Sequence, residues 1–249
     1  MVALRSAKEL EHLRDAGRIS AGALAVAGEY CKPGVTTKEM DDAIRQYILS
    51  EGAKPSFLHY NGFPASACIS VNDTVIHGIP TTKQVLQEGD IVSVDVGAYY
   101  NGYHGDNAFT FCVGAVSKEA KQLLETTQKS LYAAIAMAVA GNRLGDVGHA
   151  VEDTVKPFGY GIVREFVGHG VGRNLHESPE VPNYGRPGHG VHLVPGMVIA
   201  IEPMINLKGD GVHMLDDGWT VKTDSGSLAA HFEHTIAITK NGPMILTAV

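Results

Sequence analysis

Residues 91–113 read IVSVDVGAYYNGYHGDNAFTFCV, and they decide the fold. Asn101-Gly102 is the strongest two-residue turn signal in the chain, and strand-like runs lie on both sides of it, over 91–100 and 103–113. This order predicts a tight antiparallel hairpin. The hairpin matters for function because each of its arms carries one aspartate.

Two aspartates share one face of this hairpin. With a two-residue turn, Asp106 faces Gly97 and Asp95 faces Ala108. Because side chains alternate along a strand, Asp95 and Asp106 lie on the same face, as diagonal neighbours about 7–8 Å apart at the backbone. Their carboxylates can therefore converge on one ion. The alternative interpretation of the spacing is a pair of solvated strand acids.

The stretch that leads to Asp95, and several earlier positions, recur further along the chain at a constant separation of 107 residues. The matched positions are Leu86 and Leu193, Gly89 and Gly196, Asp95 and Glu202, Gly34 and Gly141, Ala43 and Ala150, and Ile44 and Val151. The repeat indicates an internal duplication, with about 6–112 and 117–240 as the two halves of a single domain over 1–249. Shared helix punctuation could produce some of these matches by chance.

Each half opens with signals for two helices. Ser6-x-x-Glu9 and Thr36-x-x-Glu39 are capping boxes, and Ser117 precedes a third helical stretch. A fourth, shorter stretch ends at Gly159. Two helices followed by strands in each half predict an α+β fold, with helices covering one face of curved antiparallel sheets.

Composition excludes several classes of protein. The 249 residues are 44% hydrophobic and 19% charged, which is typical of a globular chain, and the net charge of −7 argues against a nucleic-acid binder driven by phosphate contacts. No apolar run is long enough for a membrane span, and residues 1–14 lack the apolar region of a signal peptide. Three cysteines at scattered spacings fit a reducing, cytoplasmic setting.

Histidines and a further acid extend the aspartate pair. Glu233 lies on another strand-like segment, and His169 lies in the glycine-rich run GHGVG, where backbone and imidazole can approach a ligand closely. His77 and His176 both occur as His-x-x-Pro, but they are 99 residues apart, so aligning them with the repeat needs an indel. His104 and His234 adjoin the acidic segments and are candidates for supporting the ligands.

Four carboxylates and one imidazole form an oxygen-rich ligand set. Such a set suits Mn, Fe(II), Co or Zn, and two such ions promote hydrolysis of an amide or a phosphate ester. A phosphatase needs basic residues around the phosphate, whereas Arg173 is the only arginine near these positions. The sequence therefore favours amide hydrolysis.

The motifs together resemble the type I methionine aminopeptidases, in the short bacterial form with a pita-bread fold. The strings that carry the resemblance are VDVG at 94–97, GYHGD at 102–106, GHGVG at 168–172, IEP at 201–203 and EHT at 233–235. The resemblance covers essentially the whole chain. It implies a dinuclear-metal enzyme that removes the N-terminal methionine from peptides and nascent chains, with the ribosome as a candidate partner, and we expect a monomer.

The resemblance also implies a role for each residue. Asp95 would chelate one metal ion, Asp106 and Glu233 would bridge both, and His169 and Glu202 would complete the ligands of the other ion. Glu202 would also act as the general base. His77 would contact the substrate near the scissile amide. His176 would donate a hydrogen bond to the carbonyl oxygen of the substrate and so stabilise the tetrahedral intermediate.

The implied methionine pocket consists of Tyr60, Phe63, Cys68 and Trp219 together with His77 and His176. For Tyr60 and Phe63, packing in the core is an equal alternative. Two positions depart from the family pattern, because Asn61 stands where histidine is frequent and Leu175 where an aromatic residue is common. Two other functions stay open at this point: an X-Pro peptidase of the same fold, or a metal-free partner-binding protein of that fold.

Overall fold

The computed structural model describes residues 2–248 and contains four α-helices over that range. They are α1 Ala7–Tyr30, α2 Thr37–Ser50, α3 Lys118–Met137 and α4 Leu144–Val155. The strands are β1 Lys54–Pro55, β2 Ala67–Val71, β3 Thr74–Ile76, β4 Ile91–Tyr100, β5 Tyr103–Cys112, β6 Gly161–Ile162, β7 Gly168–Gly170, β8 Glu177–Val181, β9 Val198–Ile201, β10 Met204–Asn206, β11 Val212–Met214, β12 Val221–Thr223, β13 Ala229–His231, β14 His234–Thr239 and β15 Gly242–Ile245. None of these helices has the length and apolar character needed to cross a membrane.

The predicted helix starts are confirmed by their capping contacts. Ser6 and Glu9 form a reciprocal capping box at the start of α1, and Thr36 and Glu39 form another at the start of α2. The Ser117 side chain accepts the Ala120 N–H at the start of α3. These local hydrogen bonds satisfy N–H groups that have no partner inside the helix, which explains why the sequence marks the starts so clearly.

The predicted hairpin has the predicted register. Tyr100 pairs with Tyr103, and the same ladder brings Asp106 opposite Gly97 and Asp95 opposite Ala108. Asn101 and Gly102, at the turn, have φ of 50° and 88°. Positive φ at both central positions is what a type I′ hairpin turn requires, and Asn-Gly tolerates it better than other pairs.

The strands form two larger sheets, each covered by one helix pair. In one sheet β4 is central and pairs with β1, β2 and β5, and in the other the order is β15-β14-β9-β7-β8. Apolar side chains of α1 and α2 pack on the first sheet, whereas those of α3 and α4 pack on the second. All the pairings are antiparallel, so the predicted α+β arrangement of helices over antiparallel sheets is confirmed.

Equivalent hydrogen bonds occur in the two halves, at positions separated by 107 residues. Gly34 N–H donates to Leu86 O, as Gly141 N–H does to Leu193 O, and isolated bridges join Thr36 to Val85 and Arg143 to His192. Val71 pairs with Val92, and Gly170 pairs with Ile199. Gly170 lies 99 positions after Val71, whereas Ile199 lies 107 positions after Val92. The spacing between corresponding residues therefore changes from 107 to 99 within the paired strands, and the spacing of 99 is the one that separates His77 from His176.

Candidate active site

All eleven predicted site residues line one cavity of about 470 Å³. They are Tyr60, Phe63, Cys68, His77, Asp95, Asp106, His169, His176, Glu202, Trp219 and Glu233. Residues of both halves contribute, so the cavity exists only in the assembled fold. The structure thus brings the predicted metal ligands and the predicted substrate-binding residues together in one place.

The four acids are placed by strands that are tied to one another across the halves. Asp95 and Asp106 lie in β4 and β5, Glu202 directly follows β9, and Glu233 directly precedes β14. The Thr235 hydroxyl donates to Asp106 O at 2.7 Å, and Asp106 N–H donates back to Thr235 Oγ1 at 3.3 Å. Glu233 N–H also donates to the carbonyl oxygen of Ala108, the residue paired with Asp95, at 2.9 Å. Backbone contacts therefore hold the two halves in register around the acids.

The side chains of these acids converge on His169. Its Nε2 lies 3.6 Å from Asp106 Oδ2 and 3.6 Å from Glu202 Oε1. Ligand atoms of Asp106, His169 and Glu233 all lie within 4.8 Å of one another. The His169 Nδ1 is bonded to Gly170 O at 2.9 Å, which fixes the ring and leaves Nε2 facing the acids. Three buried donors at this spacing can hold a metal ion.

Burial raises the pKa of every acid of the cluster, and neighbouring carboxylates reinforce the shift for three of the four. Burial, reinforced by the Asp106 charge, raises the pKa of Asp95 well above its ordinary value. Burial raises the pKa of Asp106 to about 7. The pKa values of Glu202 and Glu233 are also raised, first by burial and then by the neighbouring carboxylates. Burial lowers the pKa of His169 to about 3, so its imidazole is neutral and can act as a ligand.

The cluster has the chemistry of a cation site. Asp95 Oδ1, Asp106 Oδ1 and Glu233 Oε1 are buried without a hydrogen-bond partner within residues 2–248. Unpaired buried carboxylate oxygens are costly, and a divalent cation would relieve both their desolvation and their repulsion. The carboxylate and imidazole donors suit Mn, Fe(II), Co or Zn. The residues therefore fit a divalent metal.

This electrostatic balance predicts how metal removal changes stability. An acid whose pKa is raised on folding stabilises the fold below its unfolded pKa and loses that contribution as pH rises through its folded pKa. For Asp106 this window runs from its ordinary value of 3.8 to about 7. We therefore expect the melting temperature of the metal-free protein to fall as pH rises across this window. The increase in melting temperature caused by adding Mn²⁺ should become larger over the same pH range. A metal-induced increase that is independent of pH would contradict this expectation.

Two further histidines flank the acids. His77 has φ of 57° and contacts the edges of Phe166 and Trp219, with ring centroids 5.6 and 6.2 Å away. Burial, then the His176 charge, lowers the pKa of His77 to about 4. The His176 ring lies 4.0 Å from that of His169, and burial lowers the pKa of His176 as well. Both imidazoles are therefore neutral at physiological pH.

The apolar end of the cavity is formed by aromatic side chains. Phe63 and Trp219 meet edge to face with centroids 5.2 Å apart, and Phe63 and Cys68 are buried. Asp217 Oδ1 accepts the backbone N–H of Trp219 at 2.8 Å, which anchors the backbone of the tryptophan in its loop. The two departures from the family pattern, Asn61 and Leu175, both line the same cavity. The substitutions therefore alter the wall of this cavity and leave the acid cluster unchanged.

Sequence reasoning missed several residues of the cavity and its surroundings. His231 is buried, and its Nε2 lies 3.7 Å from Glu202 Oε2; its position two residues before Glu233 was the available signal. Phe166 lines the cavity, but no local motif marks it. His104 and His234, the candidates for supporting the ligands, instead bond to Ser56 and Thr247, respectively.

Antiparallel sheets in two corresponding halves, with a buried acid–histidine cluster between them, define a metallopeptidase of the pita-bread type. The sequence pattern of metallopeptidase family M24 matches residues 11–240. The chain therefore belongs to metallopeptidase family M24.

Within this family, the chain is more similar to methionine aminopeptidases than to a prolidase. A methionine aminopeptidase of Clostridium acetobutylicum is 51% identical over 247 residues, which cover 99% of each chain. The crystal structure of the methionine aminopeptidase of Thermotoga maritima matches 100% of both chains, with 44% identity and a TM-score of 0.98. By contrast, the prolidase of Pyrococcus horikoshii has 26% identity, a TM-score of 0.79, and only 63% of its length covered. The predicted resemblance to bacterial methionine aminopeptidases is confirmed.

Proposed function

We propose that this chain is a methionine aminopeptidase, which hydrolyses the first peptide bond of substrates that begin with methionine. The observation that carries the proposal is the direct junction of the acid cluster with a small aromatic pocket in one cavity. A substrate whose first side chain fills the pocket would present its first amide to the cluster. Full-length similarity to enzymes of this name supports the same conclusion.

We assign the metal ligands as the motifs imply, for two divalent ions of Mn, Fe(II), Co or Zn. Asp95 would bind one ion, Asp106 and Glu233 would bridge both, and His169 and Glu202 would complete the coordination of the other. The proximity of the Asp106, His169 and Glu233 ligand atoms supports this assignment. When bound, the metal lowers the pKa of a coordinated water and polarises the scissile carbonyl.

The protein groups then manage protons and orientation. Glu202, whose side chain is only 13% exposed beside the cluster, is the proposed general base that accepts a proton from the attacking water. His77 contacts the substrate near the scissile amide. Because burial keeps both His77 and His176 neutral, each can donate a hydrogen bond from one ring nitrogen without adding charge.

Tyr60 sets the orientation and the tautomer of His176. The Tyr60 hydroxyl lies 3.0 Å from His176 Nδ1, and the two rings stack with centroids 5.3 Å apart. Burial, reinforced by the Asp106 charge, raises the pKa of Tyr60, so its hydroxyl keeps its proton and can donate it to Nδ1. The His176 proton is then on Nε2, where it can donate to the carbonyl oxygen as negative charge develops.

The proposed methionine pocket consists of Tyr60, Phe63, Cys68 and Trp219. Phe63, Trp219 and Cys68 supply polarizable aromatic and sulfur surface, against which a thioether packs well. Burial raises the pKa of the Cys68 thiol well above its ordinary value, so this wall stays uncharged. A neutral, polarizable wall favours methionine over charged or strongly polar first residues.

The wider setting follows from the same proposal. Nascent chains are the natural source of N-terminal methionine, so we place the enzyme in the cytoplasm, with the ribosome as a partner to be tested. Three free cysteines support a reducing setting. We further propose that the chain acts as a monomer. We also propose that it forms a single duplicated catalytic domain, which is supported by the hydrogen bonds that recur at a separation of 107.

A comparison of two peptides tests the function. The Mn²⁺-loaded protein is expected to release methionine from Met-Ala-Ser and to leave an X-Pro peptide intact, because the first side chain must fill the aromatic pocket. A Trp219→Ala variant should lower the selectivity for methionine by about 10-fold or more, since losing one large apolar contact in a pocket costs about 1–3 kcal/mol. Cleavage of the X-Pro peptide alone would overturn the proposal. A chain that binds no metal would instead favour a partner-binding role.

A further inference from the structure

The segment that precedes α1 is bonded to the residue next to His176. Arg5 donates its backbone N–H to Gly196 O at 2.7 Å, and its guanidinium forms a hydrogen-bonded ion pair with Glu177. The two side chains are only 8% and 14% exposed. Glu177 follows His176 directly and is the first residue of β8. A buried charge pair thus joins the N-terminal segment to the wall of the cavity.

The loop before His176 is folded around this ion pair. Glu177 Oε1 accepts the Asn174 N–H at 3.1 Å, and Gly172 N–H donates to Asn174 O at 3.1 Å. A side chain at Gly172 has no space, because a Cβ there would overlap the Arg5 guanidinium and lie 2.6 Å from Glu177 Oε1. The loop at 172–177 therefore packs directly against both charged groups, and Glu177 is also bonded to its backbone.

The side chain of His176 is held by other residues. Tyr60 and His169 contact its ring inside the cavity, but they do not fix the backbone from which the ring projects. We propose that the Arg5–Glu177 ion pair is a positioning device, which fixes the loop at 172–177 so that His176 is aimed at the scissile carbonyl. The proposal rests on the function proposed above for His176.

The energetics of buried charges show how to test positioning separately from stability. Removing one partner of a buried ion pair leaves an uncompensated charge and is strongly destabilising, whereas replacing both with neutral groups is often tolerated. The double variant R5M/E177Q removes both charges together. Its methionine replaces the aliphatic stem of Arg5, and its glutamine oxygen can still accept the Asn174 N–H. The double variant therefore lacks only the charge-assisted bond that joins the segment before α1 to the start of β8.

The experiment compares full-length proteins loaded with Mn²⁺. In R5M/E177Q we expect kcat on Met-Ala-Ser to fall by about 10- to 100-fold with KM changed by less than about 3-fold, because a displacement of about 1 Å can cost about 100-fold in rate. Hydrogen exchange of residues 172–177 should accelerate, while the melting temperature stays near that of the wild type. R5K, which keeps the charge, should recover part of kcat.

Arg173→Met provides the matched control. Arg173 lies in the same loop, pairs with Glu9 at 3.5 Å and lies over the Tyr103 ring at 4.7 Å, but its side chain is 63% exposed. An exposed pair contributes little, so this variant should keep wild-type kcat and loop exchange.

Two results would overturn the proposal: wild-type exchange at 172–177 in R5M/E177Q, or accelerated exchange with unchanged kcat. If the wild type fails to cleave Met-Ala-Ser, the proposed function fails instead. Exchange then still decides whether the ion pair holds the loop.

Discussion

Asp106→Asn will lower kcat on Met-Ala-Ser by at least about 1000-fold, beyond the cost of about 100- to 1000-fold for losing one oxyanion donor. Asp106 is buried, its Oδ2 lies 3.6 Å from His169 Nε2, and its Oδ1 has no hydrogen-bond partner in the described part of the chain. Asparagine has nearly the same shape, but its amide nitrogen cannot bind a cation. The variant should therefore lose the proposed bridge while it keeps its fold.

Steady-state kinetics and metal titration by calorimetry measure this loss independently. Asp42→Asn is the matched control, because Asp42 is an exposed acid on α2 whose partner is Lys38. The control should keep wild-type activity and metal affinity. Full activity in Asp106→Asn, with full metal content, would contradict the bridging role.

His176→Ala will lower kcat by about 100- to 1000-fold, the cost expected for one donor to a developing oxyanion. The Nε2 of His176 is free to donate because Nδ1 faces the Tyr60 hydroxyl at 3.0 Å. Since this hydrogen bond strengthens only as charge develops, KM should change much less than kcat. Metal affinity should stay unchanged, because His176 is outside the proposed ligand set.

His189→Ala is the control for this second substitution. His189 is an exposed imidazole bonded to a neighbouring backbone carbonyl, that of Pro187, at 2.9 Å. Its removal should leave both kcat and KM at wild-type values. An effect of His176→Ala on KM alone would indicate that the imidazole binds the substrate and does not stabilise the transition state.

Local chemistry explains which parts of the fold could be predicted. Asn101-Gly102 adopts positive φ at both positions, and that preference alone fixes the register which brings Asp95 and Asp106 to one face. Ser6 and Glu9 likewise mark the start of α1 by contacts three residues apart. Signals of this kind are encoded within a few residues, so a sequence carries them openly.

Contacts between distant segments explain what could not be predicted. Thr235 bonds to Asp106 across 129 positions, and Arg5 pairs with Glu177 across 172. No short motif encodes either contact, because each depends on how the two halves dock. His231 was missed for a related reason: a lone histidine is usually structural or solvated, and only the assembled cavity shows its approach to Glu202.

The division of the acids between the halves has a consequence for how the protein is made. Asp95 and Asp106 lie before residue 113, whereas Glu202 and Glu233 come late in the chain. During synthesis, the first half can form its hairpin while the cluster is still missing two of its four acids. A chain interrupted before Glu233 would carry the hairpin but not the whole cluster. Under the proposed ligand assignment, activity therefore begins only after Glu233 has been added to the chain, and it requires that both halves have been made and docked.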